Sequence, residues 1–187
     1  MSTDEVLLSR IAAGDKQAFN SLYQRYKPKV FGTAFHYLQD SHDAEELAQD
    51  VFVELYHSAA KYNARAAPGT WIYRITVNKC LDKLRYRKAK KRLAFITHFF
   101  QPGTHEDIAA PDTAGMPGQD EDLRLLYQYL DRLPVNQRTA LILTQIQELS
   151  IKETAAIMHN SPKAVESLTQ RAKANLRKLF GKIPEGK

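Results

Sequence analysis

"LSIKETAAIMHNSPKAVESLTQRAKANLRKL", residues 149–179, decides how the rest of the chain is read. Ser150 and Glu153 form an S-x-x-E capping box, which predicts a short helix over "IKETAAIM". His159 and Asn160 supply a turn and Ser161 a new N-cap; Pro162 then opens a longer helix at a position where the missing amide costs nothing. Val165, Leu168, Ala172, Leu176 and Leu179 recur at helical spacing and predict its inward stripe. Short helix, tight turn and capped longer helix together make a helix-turn-helix. The outward face carries Lys163, Glu166, Ser167, Gln170 and Arg171, then Lys173, Arg177 and Lys178. Amides and long donors in the first turns suit base edges in a major groove, a carboxylate can accept from a cytosine amino group, and the later cations suit phosphates. A solvated amphipathic helix would carry similar charges, so the turn and caps are what favour duplex DNA.

Upstream, "EDLRLLYQYLDRLP" predicts a helix ending near Leu133, with Pro134 in the first turn of the next, "PVNQRTALILTQIQEL". Before it, residues 101–120, "QPGTHEDIAAPDTAGMPGQD", hold three prolines, three glycines and four carboxylates without an apolar period. Such a segment buries too little surface to offset its ordering entropy and reads as a flexible linker. No repeat and no alternating strand pattern occurs elsewhere. The expected fold is therefore all-α: two small helical domains, 1–97 and 121–187, joined by a flexible acidic linker, 98–120, with the helix-turn-helix in the C-terminal one. Net charge follows the same division, +6 over residues 1–100, −4 over 101–120 and +4 over 121–187. Two basic blocks flanking an acidic connector suit a polyanion gripped at two points.

In the first block, "VLLSRIAAGDKQAFNSLYQRYKPKVFGTAFHYLQD" predicts two or three helices, with Gly14 and Asp15 as punctuation and a kink or break near Pro28. Asp40 or Ser41 caps a further helix whose core stripe is Ala44, Leu47, Ala48, Val51 and Leu55. Residues 40–54 contain six carboxylates and no Lys or Arg. Asp43 and Glu45 suit the helix dipole near its N-terminus. Glu46, Asp50 and Glu54 instead form a stripe of like charges four apart with no counter-charge in the segment, which makes that face a candidate partner surface. Residues 63–69, "NARAAPG", read as a loop, followed by a helix with Thr70 as cap and Trp71 in its first turn. Tyr73, Val77, Cys80, Leu81 and Leu84 share one side of that helix, and Trp71, Ile72 and Ile75 another. From residue 83 to 92 seven of ten side chains are Lys or Arg, and Lys83, Arg85, Arg87 and Lys88 are expected to point outward. A solvated helix end or a membrane-surface helix would tolerate these cations. Aromatics interleaved with cations, namely Trp71, Tyr73 and Tyr86 near Arg74, Lys79 and Arg85, fit unpaired bases and their backbone better.

Other classes find little support. The single cysteine, Cys80, rules out an internal disulfide and reads as a packed core thiol. The six histidines lack a metal-binding spacing, and there is neither a phosphate-cradling glycine loop nor a nucleophile elbow, so no catalytic residue, metal or cofactor is expected. No apolar run is long enough for a membrane span and the first residues lack a signal-peptide pattern, which predicts a cytosolic protein without membrane insertion.

"GDKQAFNSLYQRY", "DAEELAQDVFVELY", "TWIYRITVNKCLDKLRYRKAKKR", the acidic connector and "LDRLPVNQRTALIL" with the helix-turn-helix resemble, in that order, regions 2.1, 2.2, 2.3/2.4 and 4 of bacterial RNA polymerase sigma factors of the extracytoplasmic-function (ECF) type. There is no room for the additional region-3 domain of housekeeping members. The resemblance implies a dissociable polymerase subunit with no catalytic activity, whose partners are core RNA polymerase, promoter DNA and, as often in the family, an anti-sigma factor. It implies polymerase docking through Asp43, Glu46, Gln49, Asp50 and Glu54. It assigns minus-10 recognition to the loop residues Asn63, Ala64 and Arg65 and to Trp71, Tyr73, Arg74, Asn78, Lys79, Lys83, Arg85, Arg87 and Lys88. The helix from Pro162 is implied to read the minus-35 element, and the connector to mimic a transcript in the polymerase's RNA path. The chain departs from the family at Glu166 and Leu168, where cations are frequent, which bears on its minus-35 preference. A stand-alone helix-turn-helix regulator with an N-terminal sensor domain is the alternative; an RNA- or membrane-associated adaptor is a third reading that leaves the second block unexplained.

Overall fold

The computed structural model of the chain describes residues 3–100 and 121–180; the acidic connector, with the linker reading placed on it, falls outside the described residues. Among the described residues every regular element is helical. Helix α1 (Asp4–Ala12) is capped by Thr3 and starts with two acidic residues, as the helix dipole favours. Asp15 accepts from the amides of Gln17 and Ala18 to open α2 (Lys16–Leu38), and its bonds to those amides and to Arg10 hold its carboxyl below the usual range. Helix α2 runs unbroken through Pro28, against the expected kink. Pro28 and Gln24 both lie on the exposed side, where the carbonyl deprived of its amide partner can turn to water.

Asp40 caps α3 (Ser41–Ser58), which ends in a 3₁₀ turn at Ala59–Lys61. Helix α4 (Pro68–Phe100) begins three residues earlier than expected: Pro68 opens it, the amide of Trp71 bonds to the Ala67 carbonyl, and Thr70 is a buried first-turn residue rather than the cap. Leu8, Leu22, Val30, Val51, Leu55, Ile72 and Cys80, all but excluded from solvent, knit α1 to α4 into one core. Fully burying each of the aliphatic side chains contributes about 1.5–3 kcal/mol relative to leaving it exposed. The Cys80 thiol lies inside this core, and burial pushes its pKa up, so it stays protonated and unreactive.

The second unit comprises α5 (Glu121–Arg132), α6 (Val135–Leu141), a π-helical turn (Ile142–Ile146), α7 (Ile151–Met158) and α8 (Pro162–Phe180). The capping box is made in both directions: Ser150 Oγ accepts from the Glu153 amide, and the Glu153 carboxylate accepts from the Ser150 amide at 2.9 Å. His159 adopts the left-handed conformation (φ 52°) that ends α7. Val165, Ala140 and Ala155 form the small core between α6, α7 and α8. Ile142, Leu143 and Ile157 are buried in the core of the first unit instead, so the second unit seats directly on α2 and α4.

The carbonyls ending α2 show how the two units meet. A helix leaves its last four C=O groups without intrahelical partners. Here Phe35 O takes the amide of Gln39, itself in the left-handed conformation at φ 56°. Leu38 O accepts from Arg87 of α4, and His36 O and Tyr37 O accept from the guanidinium of Arg138 in α6, at 3.0 and 2.7 Å.

Candidate nucleic-acid and protein-docking surfaces

Helix α3 presents the carboxylates of the predicted stripe, and α4 runs along it with cations spaced four apart. Lys79 Nζ lies 2.9 Å from Glu54, and Lys83 Nζ lies 2.7 Å from Glu46 and 3.2 Å from Asp43; Arg87 bonds to Asp43. The Lys83 ammonium holds the Glu46 carboxyl below its usual range. The stripe therefore has the counter-charges its own segment lacks. This corrects the outward orientation expected of Lys83 and Arg87, which turn their charges toward α3 and are half-buried. Asp50 and Gln49 are exposed, and Asp50 has no salt bridge among the described residues.

Beside Asp50, the outer faces of α2 and α3 open an apolar groove of about 290 Å³ lined by Phe19, Tyr23, Phe52, Val53 and Tyr56 with Gln49 at its edge. Val53 is 57% and Tyr56 37% exposed although both lie on a helix with a complete core stripe, so these two are apolar where the fold does not require it. Phe19 meets Tyr56 edge-on at 5.4 Å, which fixes the groove's wall. Sequence reasoning missed the groove; its signal was a pair of large apolar residues, 53 and 56, outside the stripe 44-47-48-51-55.

In the loop before α4, Asn63 Oδ1 accepts from the Arg65 amide, Ala64 is left-handed (φ 55°), and Tyr62 donates to the Ala66 carbonyl. The side chains of Asn63, Ala64 and Arg65 are exposed. Trp71 is half-buried and packs on Tyr62 with ring centroids 5.4 Å apart. Tyr73 is buried and donates to Gln147 at 3.2 Å, while Arg74 donates to the Ala156 carbonyl of α7 at 2.8 Å; the second unit covers both. Asn78 is exposed, as are Arg85 and Lys88 further along, where Tyr86 stands 66% exposed between them. Arg85 pairs with Asp82 within its own helix. The open aromatic-cationic face of α4 is thus Asn78, Arg85, Tyr86 and Lys88.

On α8, Lys163, Glu166, Gln170, Arg171, Lys173, Arg177 and Lys178 are all exposed and Ser167 is half-buried. Val165, Thr169 and Ala172 turn inward. Ser161 Oγ accepts from the Ala164 amide and so caps the helix. Among the described residues no group of His, Cys, Asp and Glu could hold a metal ion, and no helix is long and apolar enough to cross a membrane.

Fold and surfaces together define an all-helical protein that joins a four-helix unit to a helix-turn-helix. Residues 22–90 match the Sigma-70 region 2 model and residues 123–176 the Sigma-70, region 4 model. The RNA polymerase sigma-H factor of Pseudomonas aeruginosa is 30% identical over 183 residues, covering 95% of this chain and 93% of that one. The ECF RNA polymerase sigma factor SigM of Mycobacterium tuberculosis (strain ATCC 25618 / H37Rv) is 32% identical over 184 residues, covering 98% and 88%. The structure of CnrH, solved in complex with the cytosolic domain of CnrY, superposes with a TM-score of 0.73 at 24% identity over 98% of this chain and 100% of that chain, a likeness of fold. The chain belongs to the sigma-70 family, as an ECF sigma factor.

Proposed function

We propose that this sigma factor divides its work among three surfaces. The groove of Phe19, Tyr23, Val53 and Tyr56, with Gln49 and Asp50 at its rim, docks a basic amphipathic segment of core RNA polymerase. Glu46, Glu54 and Asp43 lend that rim negative potential while already neutralised in part by α4, so Asp50 is the carboxylate with most to gain from a partner cation. The loop 63–67 and the open face of α4 meet promoter DNA where the strands separate: Tyr86 offers a face for stacking a base, and Lys88 and Arg85 offer charge to the backbone. Helix α8 reads the minus-35 duplex through Lys163, Glu166, Ser167 and Gln170, with Arg171, Lys173, Arg177 and Lys178 on phosphates.

The observation that carries this reading is the apolar groove beside an acidic helix face, in which Val53 and Tyr56 are exposed although the core does not need them. It also favours a polymerase subunit over a stand-alone regulator, which needs no such groove to bind DNA. Residues 1–97 and 121–187 serve as the region 2 and region 4 units, with 98–120 connecting them. The protein acts in the cytoplasm without chemistry of its own. An anti-sigma factor is a further proposed partner, because the sigma factor RpoE of Bartonella quintana, of the same fold, was solved in complex with the anti-sigma factor NepR. The test is binding of core polymerase by the full chain carrying Val53→Asp or Asp50→Lys. Each should weaken core binding at least tenfold, as loss of an interface anchor does, and leave duplex DNA binding through α8 intact. Unchanged core affinity in both variants would refute the docking assignment.

A further inference from the structure

Helix α8 carries a single carboxylate, Glu166, among five exposed cations, Lys163, Arg171, Lys173, Arg177 and Lys178. A helix that only gripped phosphates would gain by losing it, since a negative side chain at a DNA surface opposes the polyanion. The fold gives Glu166 no other task. It is exposed, stands outside the inward set of Val165, Thr169 and Ala172, and makes no salt bridge among the described residues. It lies beyond the first turn of α8, the part of a helix where the dipole favours a carboxylate. Lys163, three residues earlier, is within reach on the helix surface, and the two do not pair.

Lys163, Glu166 and Gln170 lie at i, i+3 and i+7 and so share one stripe of the outward face. From the helical rise the stripe is about 10.5 Å long, which matches about three base steps along a DNA strand. Its support is firm on every side. Ser161 Oγ caps the helix at 3.2 Å from the Ala164 amide, Leu168 packs on the core of Ala140, Ala155 and Val165, and Asn175 donates to Gln137 of α6 at 2.9 Å. Arg171 and Lys178 border the stripe on one side and Lys173 on the other. Those flanking cations suit the two phosphate walls of a major groove, so the stripe between them faces the base edges.

An ionised carboxylate only accepts hydrogen bonds. In the major groove guanine presents the acceptors N7 and O6, thymine presents O4, and adenine sets the acceptor N7 beside its N6 donor. Cytosine presents its N4 amino donor alone. We propose that Glu166 fixes one base of the minus-35 element as cytosine, accepting from the N4 amino group and repelling guanine and thymine at the same position. Lys163 and Gln170, on either side of it along the stripe, favour guanine and adenine at neighbouring positions. The carboxylate lowers general affinity for DNA and raises selection between sequences, a trade that suits a chain brought to DNA by a larger enzyme. This inference rests on the reading of α8 as the minus-35 reader, and the two fail on different results.

The experiment uses holoenzyme made from core RNA polymerase and the full chain, on a promoter whose duplex upstream of the minus-10 element is randomised. Transcribed templates are sequenced for the unmodified chain, Glu166→Gln and Glu166→Ala. With the unmodified chain one upstream position should be cytosine, preferred over guanine and thymine by about tenfold or more. Glu166→Gln should turn that position to adenine, which an amide bonds at N6 and N7. Glu166→Ala should level the preference there and raise transcription from the guanine and thymine templates, because the repulsion is gone. The other selected positions should stay as they were in both variants. The same preference at every position in all three proteins overturns the inference, and so does an equal loss on all templates in both variants. The underlying reading fails instead if transcription depends on the unmodified chain yet selects no upstream sequence.

Discussion

Arg87 separates a structural cation from a DNA-binding one. Its guanidinium bonds to Asp43 and donates at 3.0 Å to the Leu38 carbonyl, so one side chain joins the end of α2, the start of α3 and the middle of α4. The pair is partly shielded, with 29% and 24% of the two side chains exposed. A charge-assisted bond contributes about 1.5–3 kcal/mol when shielded, and an exposed ion pair about 0.2–1 kcal/mol. Between those limits Arg87→Gln should cost about 1–2 kcal/mol, because the amide cannot meet both partners. For a chain of this length that lowers Tm by about 2–8 °C. Lys88, one residue on and exposed, should behave in the opposite way. Lys88→Gln should leave Tm unchanged, since exposed substitutions stay within about 0.5 kcal/mol, but lower the salt dependence of forked-promoter binding by about one phosphate contact. Thermal unfolding by circular dichroism and holoenzyme binding across a salt series measure both quantities. If Arg87→Gln melts like the unmodified chain and reduces the salt slope as Lys88→Gln does, Arg87 is a phosphate ligand and not a tie between α2, α3 and α4.

Ser150→Ala should cost about 0.5–2 kcal/mol, since it removes the acceptor for the Glu153 amide; differential scanning calorimetry would show it, and rescue by Ser150→Thr would assign the loss to the cap. The interdomain contact should weaken with acid. Burial, and then the nearby Arg138, lower the pKa of His36 from its ordinary value of 6.5, so the closed form favours the neutral ring bonded to Tyr127. The open form then binds more protons, and closure is fully present above about pH 6.5 and lost as pH falls through the lowered value. Interdomain distance followed from pH 7.5 to 5 should increase in the unmodified chain and do so less in His36→Asn; equal pH responses would remove His36 from the contact.

The helix-turn-helix was legible because its signals are local: the Ser150–Glu153 box, the left-handed turn at His159 and the Ser161 cap all lie within a dozen residues. The core stripe of α3 was legible for the same reason of periodicity. Pro28 misled because a proline breaks a helix only where its neighbours cannot compensate, and exposure on both sides of the missing bond lets water do so. The acidic stripe was visible, but its neutralisation by Lys79, Lys83 and Arg87 was not, since those residues lie 25 to 44 positions from their partners and meet them only through the antiparallel packing of α3 and α4. The same holds for Arg138: no local pattern marks it as the partner of carbonyls about a hundred residues earlier.

The most direct measurement is transcription by core RNA polymerase with and without this chain on a library of fragments from its host genome, read as 5′ ends. A small set of discrete starts should appear only with the chain and vanish when Val53→Asp is carried by an otherwise folded protein. Starts that are identical without the chain, or a chain that shifts duplex DNA alone and never joins the core enzyme, would contradict it.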